Sequence, residues 1–407
     1  MEYQYRSRTL LFRAAAFAGG LAALLAVPGV GRGASLSAPK ETRGVWVVRT
    51  DLTSAGSVSR VVTTAKKNGL NTLFVQCRGR ADAYYCSTLE PRAQCLTRCA
   101  PDFDPLAQAV REGHAAGLKV HAWVNSCYVW SDKRAPAAGE HLVRANPDWL
   151  AVSCTGNRCA IGEKEVFICP GNPAARAHLV EVCEDIARRY EVDGIQLDYI
   201  RYANQNLCYC DGCLDRFAAS LSGTAPEEQI KTLRARGRQG LPAAFPSAWR
   251  QFRRDQVTSL VREIRTAVKK ERPEAMLSVA AIAWGSYPGE FKRSEAYNLV
   301  GQDWYGWIDS GLVDAVCPMT YQTALPGFAS WVKAVQKSHP DFPVWFGIAS
   351  YLFNADGSAA KIQTVRQSGG KGWVLFSYTA VTKSGTNDAY LQRLKSLSIP
   401  KESASAR

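Results

Sequence analysis

No glycine-rich phosphate loop follows a strand in this 407-residue sequence, and no serine, histidine and aspartate set forms a nucleophile elbow. Both absences argue against nucleotide chemistry and serine hydrolysis. No Lys/Arg run is dense enough for a nucleic-acid footprint, so none is expected as a partner. No apolar run reaches the roughly 20 residues that a bilayer-spanning helix needs. Cysteine is missing before Cys77, which excludes a lipid-modified cysteine near the amino terminus.

What is present has an ordinary globular balance, with 46% hydrophobic and 21% charged residues. The formal charge of +14 favours an anionic neighbourhood. Arg6, Arg8 and Arg13 precede an apolar run from Ala14 to Val27, with small residues up to Ala34. That layout predicts a secretory leader over residues 1–34, followed by a linker at 35–42, one domain at 43–395 and a disordered tail at 396–407. Its removal takes away Arg6, Arg8, Arg13, Arg32 and Glu2 and leaves a strongly basic mature chain with no integral membrane domain. The expected location is periplasmic or extracellular. All thirteen cysteines then meet an oxidising compartment, and disulfides are expected, with Cys154 and Cys159 as plausible partners. Cys86, Cys95 and Cys99 share another loop.

From Arg43 onward, short β-rich runs alternate with amphipathic stretches of helical period. The strand candidates cover residues 43–49, 72–78, 119–125, 193–200, 277–283, 314–321, 344–350 and 372–378. Helices are predicted at 57–68, 105–116, 174–190, 249–271, 328–338 and 359–368. Eight alternating units predict a (β/α)8 TIM barrel, an α/β fold, with long loops after the third and fourth strands. A doubly wound open sheet obeys the same alternation and is the rival.

The fourth candidate, within VDGIQLDYIRY, puts Ile195 and Leu197 on one face and Gln196 and Asp198 on the other. Asp198 then stands at the carboxyl end of a parallel strand, where barrels place chemistry, and is expected to face an open, sugar-sized trough. The plainer roles for it are capping the next helix or pairing with Arg201. Gln76, Arg78 and Arg80 alternate on the second strand, and His121, Trp123 and Asn125 on the third, so both sets are expected inside the mouth. Arginine nearby would hold Asp198 ionised unless burial outweighs it. Trp123, Tyr128, Trp130, Trp284, Tyr287, Tyr321, Tyr351 and Tyr378 fall at or past strand ends, where rings can stack on sugars.

Glycoside cleavage usually uses two carboxyls. Asp198 is the first choice and Asp82 the second, with Glu90, Glu290 and Asp303 as further loop candidates. For Asp82 a salt bridge to Arg78 or Arg80 is the competing role. Cys208, Cys210 and Cys213 lie in CYCDGC, but zinc takes four ligands and no nearby His or fourth Cys completes the set. A disulfide pinning the loop is therefore expected, with neither metal nor cofactor. His114 and His141 receive no role.

The runs RGVWV, FVQCRGRADAYYCSTLEP, FDPLAQAVREGHAAGLKVHAWVN, NPDWL, ICPGNPAARAHLVEVCEDIARRYEVDGIQLDYIRY and GLVDAVCPMTYQ, in this order, resemble the glycosyl-hydrolase-like family ten of bacteria. That family is distinct from the family ten xylanases, and the similarity spans about residues 42–380. The resemblance implies a TIM barrel acting on envelope polysaccharide, with some relatives linked to peptidoglycan strands stripped of their peptides. Carried over, it places Arg78, Arg80 and Asp82 after the second strand, His121 and Asn125 on the third, Asp198 at the end of the fourth and Tyr321 at the end of the sixth. Many relatives carry two adjacent acids at the fourth position, whereas here Tyr199 follows Asp198.

The expectation is an exported glycoside hydrolase of a cell-envelope or extracellular polysaccharide. Asp198 and Asp82 are the catalytic candidates. Arg78, Arg80, His121, Trp123, Asn125, Arg201, Trp284, Tyr321 and Tyr378 are the substrate-binding candidates. A non-catalytic glycan-binding barrel and an envelope scaffold are the alternatives.

Overall fold

The computed structural model describes residues 41–285 and 289–398; the leader expected over residues 1–34 and Tyr287 lie outside them. Among the described residues ten strands occur in chain order: β1 (Thr42–Val47), β2 (Thr72–Arg78), β3 (Lys119–Asn125), β4 (Tyr128–Trp130), β5 (Val166–Phe167), β6 (Gly194–Asp198), β7 (Met276–Ala281), β8 (Ala315–Pro318), β9 (Trp345–Ile348) and β10 (Gly372–Phe376). Eight of them form one parallel sheet in the order β8-β7-β6-β3-β2-β1-β10-β9. A single parallel bridge, Val316 to Val344, joins the two ends. The predicted barrel is therefore present, with helices on the connections, and β4 and β5 pair apart from it as an antiparallel ribbon.

Alternation explains why these segments are strands. Val45, Val47, Leu73, Val75, Val120, Val124, Ile195 and Leu197 point outward into the large core shared with the helices. Trp46, Phe74, Trp123, Cys317, Trp345 and Val374 point inward and form a separate cluster inside the barrel. Such bulky rings need small residues across from them. At Gly194 an added Cβ would lie 2.5 Å from Nδ1 of His121 and 2.6 Å from the Met276 carbonyl. Polar atoms inside are bonded across the space, as where Trp46 Nε1 donates to Gln196 Oε1 at 2.5 Å.

Helix ends follow local chemistry. Asn172 accepts the N–H groups of Ala174 and Ala175 ahead of Pro173, starting the helix Pro173–Arg189. Asp104 does the same for Pro105–Ala115 through the Ala107 N–H, and Gly117 turns the chain into β3 with φ +72°. The long helix Pro246–Glu271 and the last helix Ala389–Ser398 complete the outer layer, the latter running past the expected boundary at residue 395. Among the described residues, no helix is long and apolar enough to cross a membrane.

The two long insertions emerge where expected, after β3 and after β6. The first carries the β4–β5 ribbon, and the second carries the helices Asp211–Ser220, Glu227–Ala235 and Gly240–Ala244. Both stand at the carboxyl ends of the barrel strands.

Candidate active site at the carboxyl end of the barrel

β6 reads GIQLD, and its alternation turns Gly194, Gln196 and Asp198 inward while Ile195 and Leu197 bury themselves against the helices. Asp198 lies beside Asn125 in the β3–β6 register. Its Oδ1 accepts the Tyr199 N–H at 2.7 Å and its Oδ2 accepts Nε1–H of Trp123 at 3.2 Å. The residue is only 7% exposed, so it is largely buried at the mouth rather than spread along an open trough. A cavity of about 440 Å³, lined by Gln205, Tyr209, Pro242, Trp249 and Arg253, lies elsewhere, beside the second insertion.

Burial pushes the Asp198 carboxyl up to about 6, against the opposing pull of the Tyr199 N–H, the Arg201 charge and the Trp123 N–H. Desolvation outweighs the Arg201 cation, the case in which a nearby arginine does not hold the carboxyl ionised. A carboxyl that titrates near pH 6 can give or take a proton close to neutrality, as an acid or base should.

Tyr199 makes the turn that aims this carboxylate. It sits at φ +49°, a left-handed conformation rarely taken by a bulky residue. The turn is held by hydrogen bonds from Ser126 N to the Asp198 carbonyl at 2.7 Å and from Cys127 N to the Tyr199 carbonyl at 3.1 Å. The Tyr199 ring stacks on Tyr128 at 4.8 Å and 25°. Arg201 is buried against rings, 4.9 Å from Tyr199 and 5.5 Å from Trp284, and its Nη1 donates to the Tyr202 carbonyl at 3.0 Å. Its plainer role as a direct partner of Asp198 is not what holds it.

Aromatic side chains complete the rim. Phe376 lies 6.4 Å from Trp123 and 5.8 Å from Tyr321, and Tyr321 lies 6.4 Å from Tyr351. Tyr351 and Trp284 are 55% and 42% exposed, which leaves their faces open to a ligand. The Tyr321 hydroxyl is pushed well above its ordinary value by burial first, then by the charges of Cys317 and Asp198. The structure thus brings Asp198, Trp123, Asn125, Arg201, Trp284 and Tyr321 together at one mouth.

Arg80 and Asp82 occupy the adjoining loop. The Arg80 guanidinium lies 4.3 Å from the Trp130 ring centroid, and its carbonyl meets Nε2 of His141 at 2.8 Å. Asp82 is buried and accepts the Arg80 backbone N–H at 2.7 Å, so it shapes the turn through Arg80's main chain. The loop is tied to the mouth where Asn125 Nδ2 donates to the Gly79 carbonyl at 2.8 Å. The Asn125 Oδ1 is buried without a partner and is free to accept from a bound hydroxyl.

Several expectations need correcting. Arg78 does not face the mouth: a register shift between Gln76 and Arg78 redirects it, and it is fully buried with Nη2 2.6 Å from Glu90 Oε1. Glu90 also meets His178 at 3.1 Å and is therefore a structural anion rather than a second catalytic acid. His121 lies a layer lower, packed 5.0 Å from Phe74 and 5.6 Å from Trp345, and burial lowers it to about 4, so it remains neutral. Tyr378 begins the helix Tyr378–Thr382 and packs into the outer core near Arg60 and Gly385. Glu290 is exposed with Arg293 at 2.9 Å, and Asp303 caps Trp304–Asp309 through the Gly306 N–H. The ring that serves the mouth in place of Tyr378 is Phe376, whose position two residues earlier keeps it on the inward face of β10.

The cysteines also depart from expectation. All thirteen are free, Cys154 and Cys159 included. Cys208, Cys210 and Cys213 do have a fourth companion, because Cys169 at the end of the first insertion joins them, all four sulfurs lying within 4.8 Å of one another. The sequence concealed it by placing Cys169 well upstream of the CYCDGC run.

The profile of a family described as glycosyl hydrolase-like 10 matches residues 41–355. The chain is 25% identical over 351 residues to the glycosyl hydrolase YngK of Bacillus subtilis, covering 79% of this chain and 63% of that protein. It is 23% identical over 279 residues to the glycosyl hydrolase DigH of Escherichia coli K12, covering 62% of this chain and 55% of that protein. The chain therefore spans less than two thirds of the length of these curated relatives. Among solved structures it resembles the PgaB (BpsB) glycoside hydrolase domain of Bordetella bronchiseptica, with TM-score 0.65 and 15% identity over 89% of this chain and all of that one. It also resembles Gan42B, a GH42 β-galactosidase from G. stearothermophilus, with TM-score 0.59 and 13% identity over 88% of this chain and 57% of that one. At those identities the likeness establishes the barrel.

Proposed function

The chain belongs to the glycosyl hydrolase-like 10 family, and from that premise we propose that it is an exported hydrolase of O-glycosyl bonds in a cell-envelope or extracellular polysaccharide. Peptidoglycan glycan strands are the narrower substrate, in keeping with the basic charge of the sequence. The observation that carries this reading is Asp198: a carboxyl at a strand's carboxyl end, raised to about 6 and surrounded by aromatic side chains. In its protonated form it donates to the departing glycosidic oxygen; in its ionised form it accepts a proton from water. Trp123 and the Tyr199 N–H orient the carboxylate, Asn125 offers an unpaired acceptor, and Trp284 and Tyr351 present faces on which a sugar ring stacks. Asp82, in the loop attached to Asn125, remains the candidate for the second carboxyl that most glycosidases use.

A second reading, a barrel that binds glycan without cleaving it, is favoured by one observation. Glu90 and Asp303 are engaged structurally, Glu290 pairs at the surface, and Tyr199 occupies the place of an adjacent acid. One experiment separates the two. Purified chain is incubated with peptide-free peptidoglycan strands and with other amino-sugar polymers, and new reducing ends are measured. Hydrolysis that disappears in Asp198→Asn supports the enzyme. Undiminished hydrolysis in that variant removes Asp198 from its role, and retained glycan affinity without products favours the binding module.

A further inference from the structure

We propose that Cys169, Cys208, Cys210 and Cys213 bind one zinc ion in a closed structural site that fastens both long insertions to each other behind the turn carrying Asp198. The four side chains come from the end of the first insertion and from the loop and helix start of the second. Their sulfurs all lie within 4.8 Å of one another, with Cys169 Sγ 3.3 Å from Cys213 Sγ and 3.8 Å from Cys210 Sγ. A tetrahedral zinc thiolate site with bonds of about 2.3 Å places its sulfurs roughly 3.8 Å apart. A disulfide joins two sulfurs at about 2.05 Å, whereas Cys169 here faces several thiols at once.

The surroundings suit an anionic metal centre. Four thiols and Zn²⁺ give a tetrathiolate complex of charge −2 and release four protons. Arg216 Nη2 lies 3.6 Å from Cys213 Sγ, and the buried Arg253 feels the charges of Cys208 and Cys213. The Val152 N–H donates to Cys208 Sγ at 3.3 Å. Cys210 is the N-cap residue of the helix Asp211–Ser220 and Cys213 lies in its first turn, where the helix dipole favours thiolate. Gly171 leaves the necessary room, since a Cβ there would stand 2.7 Å from Cys213 Sγ.

Burial decides the kind of site. Cys169, Cys208 and Cys213 are each no more than 1% exposed, and four protein sulfurs fill a tetrahedral shell, so no position is open to substrate. The consequence is mechanical. Tyr202, four residues beyond Asp198, is buried within electrostatic reach of Cys213 and Cys169, and hydrogen bonds from Cys154 N to the Asn206 carbonyl and from Tyr209 N to the Val152 carbonyl knit the two insertions together around the cluster.

The test is metal analysis of the purified full chain, with wild type, Cys210→Ser and a Cys95→Ser control at an exposed cysteine outside the cluster. One zinc per chain is expected in wild type and control, with at least a tenfold loss in Cys210→Ser. Replacement by cobalt should give the intense thiolate-to-cobalt charge-transfer band of a tetrahedral sulfur site, and a competing chelator should lower the melting temperature of wild type. If Cys210→Ser fails to fold, the cobalt spectrum and chelator titration of wild type decide the matter. Wild type free of metal after growth with added zinc, or peptide mapping that finds these four cysteines joined as disulfides, overturns the proposal. So does zinc bound equally well by Cys210→Ser.

Discussion

Two buried carboxylates near the same end of the barrel have been pushed in opposite directions. Burial alone would raise both. At Glu90 that push is more than offset by Arg78 and His178, whose charges and hydrogen bonds bring the group down to about 2. At Asp198 the donors are an amide and an indole, the nearby Arg201 cation acts only through its charge and is itself occupied by aromatic faces, and the group rises to about 6. The same chemical group therefore serves as a permanent anion in one place and a proton carrier in the other, and the partner decides which. Glu90 holds the barrel to the helix Pro173–Arg189; Asp198 is left available.

The largest expected effect comes from breaking the first of the two. Glu90→Ala leaves Arg78 buried without its counter-ion, and unfolding in urea should show a loss of about 3–5 kcal/mol. Asp198→Asn should do the reverse to stability. It removes a buried charge, so above pH 6 the variant should be more stable than wild type by about 2–3 kcal/mol, while hydrolysis should fall by roughly 10²-fold or more.

Stability measured against pH separates the pair without mutation. The folded pKa of Glu90 is depressed from 4.5, so its contribution is present above about 4.5 and is lost as pH falls toward 2. The folded pKa of Asp198 is raised from 3.8, so its contribution is full below about 4 and is lost as pH rises through 6. The wild-type profile should show both terms, the acid-side one missing in Glu90→Gln and the one between about pH 4 and 6 missing in Asp198→Asn, each worth roughly 3 kcal/mol. The smallest effect belongs to Trp123→Phe. Without the indole N–H the Asp198 carboxylate loses one donor, and the inflection in the pH–activity profile should move upward by less than about one pH unit.

How much of this could be read from the chain varies by residue. The barrel was legible because β1, β3 and β6 keep strict alternation and the helices begin at Asn172–Pro173 and Asp104–Pro105, where capping chemistry is local. Asp198 was legible for the same reason. Arg78 was misread because period-two counting does not register the irregularity after Gln76. Tyr378 was misread because the chain leaves β10 at Phe376 and turns into a helix within two residues. The rise at Asp198 could not be read from Arg201 alone, since the outcome rests on how much water the surrounding rings exclude. Cys169 became part of a cluster only through the folding of two insertions onto one another, a contact without a local signature.

A sheet whose ring is completed by one pair of residues has a preferred place to come apart. Among the described residues, β8 is joined to the chain entering β9 by the single bridge Val316–Val344, whereas the other neighbouring strands run alongside one another through several residues. Amide hydrogen exchange should therefore reach Ala315–Pro318 and Trp345–Ile348 before it reaches β3 or β6. Thermal loosening would then begin at a seam that β7 and β8 separate from the strand carrying Asp198, sparing the turn that aims it.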